Sequence, residues 1–372
     1  MSTIKAVTVP KWGLSMTKGM VVGWHASVGD TVSEDDELLD IETAKITNVA
    51  LAPGGGTLRR ITVEDGQTCP VGALVGVIAD PLVSESEIDD FVAGYAERFA
   101  QKGGVEAEDQ MFAQATVQTG LGPLNVGQRG DGEGDVVLLI HGFASDMRSW
   151  AFNVESLSEG RTVLAVDLPG HGESTKKVGD GTIDAMAQAL QTALESLGVS
   201  KVALIGHSFG AAVALALADR LGAAAEAIVL IAPAGLAGGE VSPEFLEGLL
   251  SARRKRELRG YLEMMVANPE RITGEMVEDL VRFRRLDGVS EAMQTIRDGI
   301  VDGSQFAKID SVVADRKPLV IVGRHDRIVR LPAEIEGARV HVVEGAGHMP
   351  HVEQVDRVNT LIAAALAKGG NG

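Results

Sequence analysis

The sequence predicts two domains of different class: a small all-β domain at the N-terminus, followed by a larger α/β domain with a mostly parallel sheet. Over residues 1–80, short apolar segments alternate with turn residues, which is typical of antiparallel strands. From residue 113 onward, apolar segments without alternation are separated by helical patterns, which is typical of parallel strands covered on both faces. A chain of 372 residues is also too long for one ordinary domain.

Composition and charge exclude several classes of function. The net charge of −18 disfavours nucleic acid and anionic membranes as partners, because both would be repelled. The single cysteine, Cys69, excludes an internal disulfide and fits a reducing compartment. Neither a signal peptide nor a membrane span is indicated by any apolar run. We therefore expect a cytoplasmic protein without a metal site and without nucleic-acid or membrane partners.

Residues 1–80 contain a faint internal repeat. Residues 29–31 (Gly-Asp-Thr) recur as residues 66–68 (Gly-Gln-Thr), so we expect a flattened β-barrel with two similar halves. Lys45 lies in the hairpin turn that joins these halves. The strands are expected at residues 5–9, 19–24, 37–42, 47–50, 56–63 and 73–78.

The stretch from Val28 to Lys45 resembles the lipoyl domains of 2-oxoacid dehydrogenase-type complexes. The resemblance implies that lipoate is amide-linked to Lys45, which a lipoate-attaching enzyme can reach at an exposed hairpin tip. Ala44 stands where these domains usually have Asp, and Asp35 stands where Gly is common. Biotin carrier domains share the fold but flank their lysine with methionines, so Ala44 and Ile46 argue against biotin.

Residues 81–112 are expected to form an acidic linker with one short helix. A capping signal at Ser84 starts a helix through about Phe99, and its apolar side chains share one face. We therefore expect this helix to dock on another part of the protein. The stretch is too short, and lacks the basic and Gly-rich pattern, for a peripheral-subunit-binding domain.

Residues 113–372 alternate regularly between strands and helices. The pattern becomes helical over about residues 235–304, which we interpret as a lid inserted after the sixth strand. The strands are expected at residues 115–119, 124–128, 136–140, 162–166, 202–205, 227–231, 319–322 and 339–343.

The candidate nucleophile is Ser208, at the apex of the G-x-S-x-G sequence that spans residues 206–210. Asp326 follows a second apolar strand and His348 follows a third. Serine, acid and histidine in this order, each beyond the carboxyl end of a strand, are the arrangement of the α/β-hydrolase fold. Phe143, after the third strand, and Phe209 are placed to supply the backbone N–H groups of an oxyanion hole.

Other residues compete for some of these roles. His351 lies close to His348 and is the alternative base, while Asp167 is the alternative acid because some hydrolases place it after an earlier strand. Three other histidines are expected to have other roles: His171 is structural in a turn, His207 packs or bonds beneath the nucleophile, and His325 is a neighbour of the acid rather than its partner.

Two basic clusters in the lid contrast with the acidic chain as a whole. Arginines grip the phosphates of a nucleotide-bearing acceptor such as coenzyme A well. Solvated helix faces with local Glu partners explain the clusters equally well, and both interpretations stay open. The basic residues are Arg253, Arg254, Lys255, Arg256 and Arg259 in the first cluster, and Arg282, Arg284 and Arg285 in the second.

Over its full length the chain resembles the dihydrolipoyllysine acetyltransferase (E2) component of acetoin-cleaving dehydrogenase systems, in which a lipoyl domain precedes an α/β-hydrolase-like domain. The usual E2 signature, His-x-x-x-Asp-Gly near the C-terminus, is absent. The resemblance implies a thiamine-diphosphate-dependent acetoin dehydrogenase (E1) and dihydrolipoamide dehydrogenase (E3) as partners. We expect acetyl transfer from lipoyl-Lys45 to coenzyme A, through acetyl-Ser208.

Two other functions stay open. The chain is either a stand-alone serine hydrolase (an esterase, thioesterase or C–C hydrolase) with an appended lipoyl domain, or a non-catalytic acyl carrier with a docking module.

Overall fold

The computed structural model describes residues 4–10, 18–34, 36–42, 47–101, 111–130, 134–332 and 334–369. The chain divides into two compact units, Met1–Gln110 and Met111–Gly372. Several positions singled out above lie outside the described residues, namely Asp35, Ala44, Lys45, Ile46 and residues 102–110 of the expected linker.

The first unit consists of two four-stranded antiparallel sheets around one apolar core. One sheet has the order β1-β8-β6-β3 and the other the order β5-β4-β2-β7. Leu38, Ile41 and Leu58 are fully buried between them. The strands are β1 (Lys5–Thr8), β2 (Lys18–Trp24), β3 (Thr31–Val32), β4 (Glu37–Glu42), β5 (Thr47–Leu51), β6 (Gly56–Ile61), β7 (Thr68–Pro70) and β8 (Leu74–Ala79).

The internal repeat of the sequence has a structural counterpart. Gly29 (φ 103°) and Gly66 (φ 83°) adopt the left-handed backbone that glycine tolerates best, each just before a short strand. These strands, β3 and β7, take the same place at the edge of the two sheets. The two halves of the unit are therefore alike in fold.

Helix α1 (Glu85–Gln101) packs on the outer face of the β1-β8-β6-β3 sheet. Ile88 is fully buried in a small apolar cluster with Val77 of β8, as its position on the apolar face predicted. Further along, the Tyr95 hydroxyl donates a hydrogen bond to the carbonyl of Gly72 at 2.8 Å. The helix therefore belongs to the core of the first unit.

The start of α1 is fixed by two sets of polar contacts. The backbone N–H of Ser84 donates to the Glu87 carboxylate at 2.9 Å, and the N–H of Glu87 donates to the Ser84 hydroxyl at 3.3 Å, a reciprocal capping box. Arg59 of β6 donates to the carboxylate of Glu85 at 2.6 Å. These contacts set where the helix begins and join it to the sheet.

The second unit is built on an eight-stranded sheet of order β18-β16-β14-β13-β11-β12-β10-β9. Strands β12, β11, β13, β14, β16 and β18 are parallel, and β10 and β9 extend the sheet antiparallel at one edge. These strands are β9 (Ala113–Thr119), β10 (Gly122–Arg129), β11 (Val136–Ile140), β12 (Thr162–Val166), β13 (Val202–His207), β14 (Ala225–Ile231), β16 (Leu319–Gly323) and β18 (Arg339–Val343).

Apolar helices cover both faces of this sheet, and a helical segment follows β14. That segment also contains β15 (Glu240–Val241), which pairs with β17 (Val329–Arg330) next to the acid loop. No described helix is both long and apolar enough to cross a membrane. The helices are α2 (Val154–Leu157), α3 (Ile183–Ser196), α4 (Phe209–Leu221), α5 (Pro243–Ser251), α6 (Lys255–Glu263), α7 (Gly274–Phe283), α8 (Val289–Asp302), α9 (Ile309–Arg316), α10 (Pro350–Glu353) and α11 (Val355–Gly369).

Candidate active site

Ser208 occupies the sharp turn between β13 and α4. Its backbone has φ 53° and ψ −119°, a conformation rare for a residue with a side chain. A Cβ on Gly206 would collide with the carbonyl of Gly210, and a Cβ on Gly210 would collide with the carbonyl of His141. The two glycines are therefore required by close backbone contacts, and the turn presents the serine at the carboxyl edge of the sheet.

His348 and Asp326 form a buried hydrogen-bonded pair. Nδ1 of His348 donates to Oδ2 of Asp326 at 2.9 Å, and the two side chains are only 2% and 7% exposed. The other carboxylate oxygen accepts from the backbone N–H groups of Ile328 at 2.8 Å and Val329 at 3.0 Å. Because Nδ1 is engaged, Nε2 is the ring nitrogen left to act on a substrate or a nucleophile.

The surroundings of Asp326 keep its carboxylate ionised. Burial alone would raise its pKa, because a charge is costly in a dry interior. The opposing effects of the His348 ring and of the hydrogen bonds from His348, Val329 and Ile328 are together larger, so the pKa lies below its ordinary value. An ionised partner favours an imidazolium at His348 when that ring accepts a proton.

Ser208 and His348 line one cavity under the helical segment that follows β14. Phe143 and Phe209 line the same cavity, together with apolar side chains from the helices above it. The apolar wall is formed by Val241, Phe245, Leu246, Met265, Ile300 and Ile328. A serine and a histidine facing one apolar cavity suit acyl transfer sheltered from water.

The two candidate oxyanion donors lie on either side of Ser208. A Cβ built on Gly142 would lie 3.1 Å from the Cβ of Ser208, so the loop that carries Phe143 passes directly beside the serine. Among the described residues, no protein group accepts a hydrogen bond from the backbone N–H of Phe143 or of Phe209. Both donors are therefore available to a ligand.

Two buried histidines hold this loop in place. Nε2 of His141 accepts from the backbone N–H of Leu168 at 3.0 Å, and Nε2 of His171 accepts from that of Ala144 at 3.1 Å. Each accepting nitrogen must be unprotonated. Burial lowers the pKa of both rings, which agrees with neutral imidazoles. His171 thus contacts the oxyanion loop from its turn, as a structural residue would.

Neither the alternative acid, Asp167, nor the alternative base, His351, lines the cavity that contains Ser208. The carboxylate of Asp167 accepts from Nδ2 of Asn125 at 3.0 Å and from the backbone N–H groups of Met147 and Glu173, both at 2.9 Å. Within the described residues, neither ring nitrogen of the fully buried His351 has a hydrogen-bond partner. Burial, with the neighbouring His348, lowers the pKa of His351 to about 3. His325 is exposed.

His207 lies between the candidate base and the oxyanion loop. Its Nε2 donates to the backbone carbonyl of His348 at 2.8 Å. Its Nδ1 faces Gly142, where an added Cβ would lie 3.0 Å away. Burial, with the nearby His351 and His348, holds the pKa of this ring well below its ordinary value. His207 is thus in position to fix two parts of the site at once.

Glu353 is a site residue that the sequence analysis missed. Its side chain is buried, and its two oxygens accept from the backbone N–H groups of Gly347 at 2.6 Å and Ala267 at 2.7 Å. It therefore joins the loop before His348 to the loop between α6 and α7, within the helical segment that follows β14. No sequence signal distinguishes it, because a glutamate in a short helix ordinarily faces solvent.

In the first unit, strands β4 and β5 flank the candidate lipoate attachment site in the chain. Glu42, the last residue of β4, pairs directly with Thr47, the first residue of β5. Both flanking residues are exposed, and the connection between them contains Lys45, which lies outside the described residues. Lys45 is one of the four residues between these two exposed strand ends in the chain, a position that fits covalent attachment of lipoate by a separate enzyme.

Two protein families match the chain. Residues 137–361 match the alpha/beta hydrolase family, and residues 5–78 match the biotin/lipoyl attachment family described as biotin-requiring enzyme. Among solved structures, a meta-cleavage product hydrolase from Pseudomonas fluorescens superimposes with a TM-score of 0.62 at 23% identity, covering 69% of this chain and 98% of that one. A lipase from Acinetobacter baumannii gives 0.64 at 20% identity, covering 73% and 96%. Similarity at this level shows the fold.

Two curated relatives match the chain from end to end. Both are named dihydrolipoyllysine-residue acetyltransferase component of acetoin cleaving system. The protein from Pseudomonas putida is 37% identical over 99% of this chain and 100% of its own length. The protein from Cupriavidus necator is 35% identical over 98% of each.

Proposed function

This chain belongs to the family of dihydrolipoyllysine-residue acetyltransferase components of acetoin-cleaving systems, and from that premise we propose that it transfers acetyl groups from Lys45-bound lipoate to coenzyme A through Ser208. The chain is thus an acyltransferase component that works with the other enzymes of such a system. The attachment residue, the covalent route through serine and the identity of each partner are the proposed parts.

Lipoate, when amide-linked to Lys45, supplies a thiol that carries an acetyl group as a thioester. The direct pairing of Glu42 with Thr47 supports this residue, because Lys45 is one of the four residues that connect these paired strand ends in the chain. High effective concentration then favours transfer within one molecule, since the donor is tethered to the acceptor site.

The first half of the reaction acylates Ser208. Nε2 of His348 takes the hydroxyl proton while Oγ forms a bond to the thioester carbonyl carbon. The carbon–sulfur bond then breaks, and His348 returns the proton to the departing sulfur. Asp326 keeps the ring oriented and stabilises its positive charge, as the 2.9 Å hydrogen bond supports.

The negative charge that develops on the carbonyl oxygen is stabilised by the backbone N–H groups of Phe143 and Phe209. Removing one such donor in other enzymes slows the reaction about 10²- to 10³-fold, so two fixed donors account for a large share of catalysis. In the second half of the reaction, the coenzyme A thiol is the nucleophile and Ser208 is the leaving group. The coenzyme A thiol gives its proton to His348, its sulfur bonds the acetyl carbon, and Ser208 leaves with the proton.

The proposed partners follow from the same family. A thiamine-diphosphate-dependent acetoin dehydrogenase generates the acetyl group, dihydrolipoamide dehydrogenase reoxidises the lipoyl thiols, and a lipoate-attaching enzyme modifies Lys45. A single cysteine, half-buried and free, suits a reducing cytoplasm as the place where they meet.

The observation that carries the proposal is that His348, hydrogen-bonded to the buried Asp326, lines the same cavity as Ser208, in a chain that also holds a lipoyl domain. The test is acetyl transfer from S-acetyldihydrolipoamide, followed with and without coenzyme A. We expect acetyl-CoA to form, and rapid quenching without acceptor to show one acetyl group on the peptide that contains Ser208. Ser208→Ala should abolish both signals.

Three outcomes contradict parts of the proposal. Acetate formed at the same rate with or without coenzyme A would identify a hydrolase. Full acetoin-dependent acetyl-CoA formation by Ser208→Ala within the complete system would make the serine irrelevant and leave a carrier and docking subunit. Mass mapping of protein from native cells that finds Lys45 unmodified would remove the carrier role.

A further inference from the structure

The helical segment after β14 carries basic side chains that the candidate active site does not use. Some are neutralised by carboxylates nearby, which makes them ordinary solvated ion pairs. The paired cations are Lys255 with Glu278, Arg259 with Glu263 at 2.8 Å, Arg282 with Asp279 at 2.9 Å, and Arg297 with Glu247 and, at 2.8 Å, with Asp298.

Four other arginines are left without a close carboxylate. Arg253, Arg256 and Arg285 are exposed and form no ion pair within the part of the chain that the structure describes. Arg254, with its side chain 85% exposed, comes no closer than 3.9 Å to Glu257. That glutamate accepts instead from the backbone N–H groups of Arg253 and Arg254, at 3.2 and 3.3 Å. We call these four arginines the basic corner.

The fold brings the two sequence clusters together at this corner. Arg284, at the end of α7, donates to the backbone carbonyl of Ala252 at 2.9 Å and also to that of Leu250, at the end of α5. Arg285 and Arg253 each follow one of these contacting residues in the chain, so they lie on the same part of the surface. The contact also occupies carbonyls that would otherwise repel an anion.

The basic corner lies one helix away from the reaction cavity. Phe245 and Leu246 of α5 line the cavity beside Ser208. At a rise of 1.5 Å per residue, the end of α5 at Ser251 lies roughly 8 Å beyond Leu246, and Arg253 is the second residue after it. Coenzyme A has the same layout, because a pantetheine arm separates its reactive thiol from its phosphates.

We propose that the basic corner binds the phosphate groups of coenzyme A while the thiol enters the Ser208 cavity, an inference that rests on the proposed function. Guanidinium groups bind phosphates with two parallel hydrogen bonds. A chain with a net charge of −18 repels an anionic substrate over most of its surface, so a local group of exposed cations directs the approach.

The test compares two acceptors of the full-length, lipoylated protein: coenzyme A, and pantetheine, which has the same thiol and arm but no phosphate. The variant Arg253→Gln, Arg256→Gln, Arg285→Gln should raise KM for coenzyme A about ten-fold, since each exposed contact is modest. It should leave KM for pantetheine and kcat unchanged. The matched control, Arg129→Gln, Lys201→Gln, Arg324→Gln, removes three charges elsewhere and should change neither KM.

Several outcomes would overturn this proposal, and one would overturn the proposed function instead. An unchanged KM for coenzyme A, an equal rise for pantetheine, or an equal effect of the control would each overturn the proposal. So would normal coenzyme A kinetics with loss of acetylation by the complete system, because the corner would then bind a partner protein. If no thiol is an acceptor, the proposed function fails instead, and calorimetric titration of coenzyme A into both variants still decides whether the corner binds it.

Discussion

Nε2 of His207 donates a hydrogen bond of 2.8 Å to the backbone carbonyl of His348, so the residue before the candidate nucleophile holds the residue proposed as its base. His207→Ala would leave that buried carbonyl without a partner. We expect the free energy of unfolding to fall by about 1–3 kcal/mol, and kcat to fall with little change in KM.

Two variants separate positioning from general stability. His207→Gln places an amide N–H near the original Nε2 and should recover much of kcat, whereas His325→Ala on the exposed acid loop should have no effect. Equal losses in His207→Gln and His207→Ala, measured by denaturant unfolding and steady-state kinetics, would rule out the positioning role.

Asp326→Asn should remove the charge that stabilises the His348 imidazolium while preserving the size of the side chain. From comparable triads we expect kcat for acetyl transfer to fall about 10⁴-fold. Asp298→Asn, on the exposed surface of α8, is the matched control. Activity within a few-fold of the unmodified protein would show that another acid partners the histidine.

Stability should decrease with acid through His351. Its folded pKa of about 3 lies below the ordinary value of 6.5, because burial and the neighbouring His348 disfavour the charged ring. Between these pH values the unfolded chain binds more protons than the folded one, so stability is lost as pH falls from 6.5 towards 3. The slope is about 1.4 kcal/mol per pH unit for one group.

His351→Phe tests that slope, because neither ring nitrogen has a hydrogen-bond partner to lose among the described residues. The variant should show a shallower dependence of unfolding free energy on pH, with the other buried histidines whose pKa is lowered, His141, His171 and His207, accounting for the remainder. The same slope in both proteins would assign the acid sensitivity to other groups.

Acyl-chain length should depend on Ile300 of α8, an apolar side chain in the wall of the Ser208 cavity. Ile300→Ala enlarges the cavity, and each accommodated methylene changes discrimination by about 10- to 200-fold in comparable pockets. We therefore expect kcat/KM for a butanoyl thioester to rise relative to acetyl. Val301→Ala, its exposed neighbour, should leave the ratio unchanged, and a similar ratio in Ile300→Ala would place the acyl group elsewhere.

The sequence predicted the fold best for strands that form one continuous apolar run in the chain. The apolar run at Val136–Ile140 predicts β11 with its observed ends, because a strand buried on both faces has no polar position. It failed for β3, whose two residues are too few to show a period. The apolar face of α1 predicted docking, but which sheet receives Ile88 is decided by long-range packing.

In the candidate site too, the sequence predicts some relationships between residues and misses others that depend on long-range packing. The order of Ser208, Asp326 and His348 in the chain, each after a strand, predicts that they lie at one edge of a parallel sheet. The hydrogen bond between His207 and His348 joins residues 141 positions apart, and no sequence pattern predicts it. The same is true of Glu353, whose backbone partners lie in two separate loops.

The left-handed backbone at Ser208 lowers the stability of the folded chain, although the proposed chemistry requires a serine at this position. A side chain in that conformation costs about 1–3 kcal/mol that glycine avoids. Molecules with glycine at position 208 should therefore melt higher than those with serine or alanine. A library of this chain selected only for survival at high temperature would enrich them, and every survivor of that kind would be unable to form an acyl-enzyme.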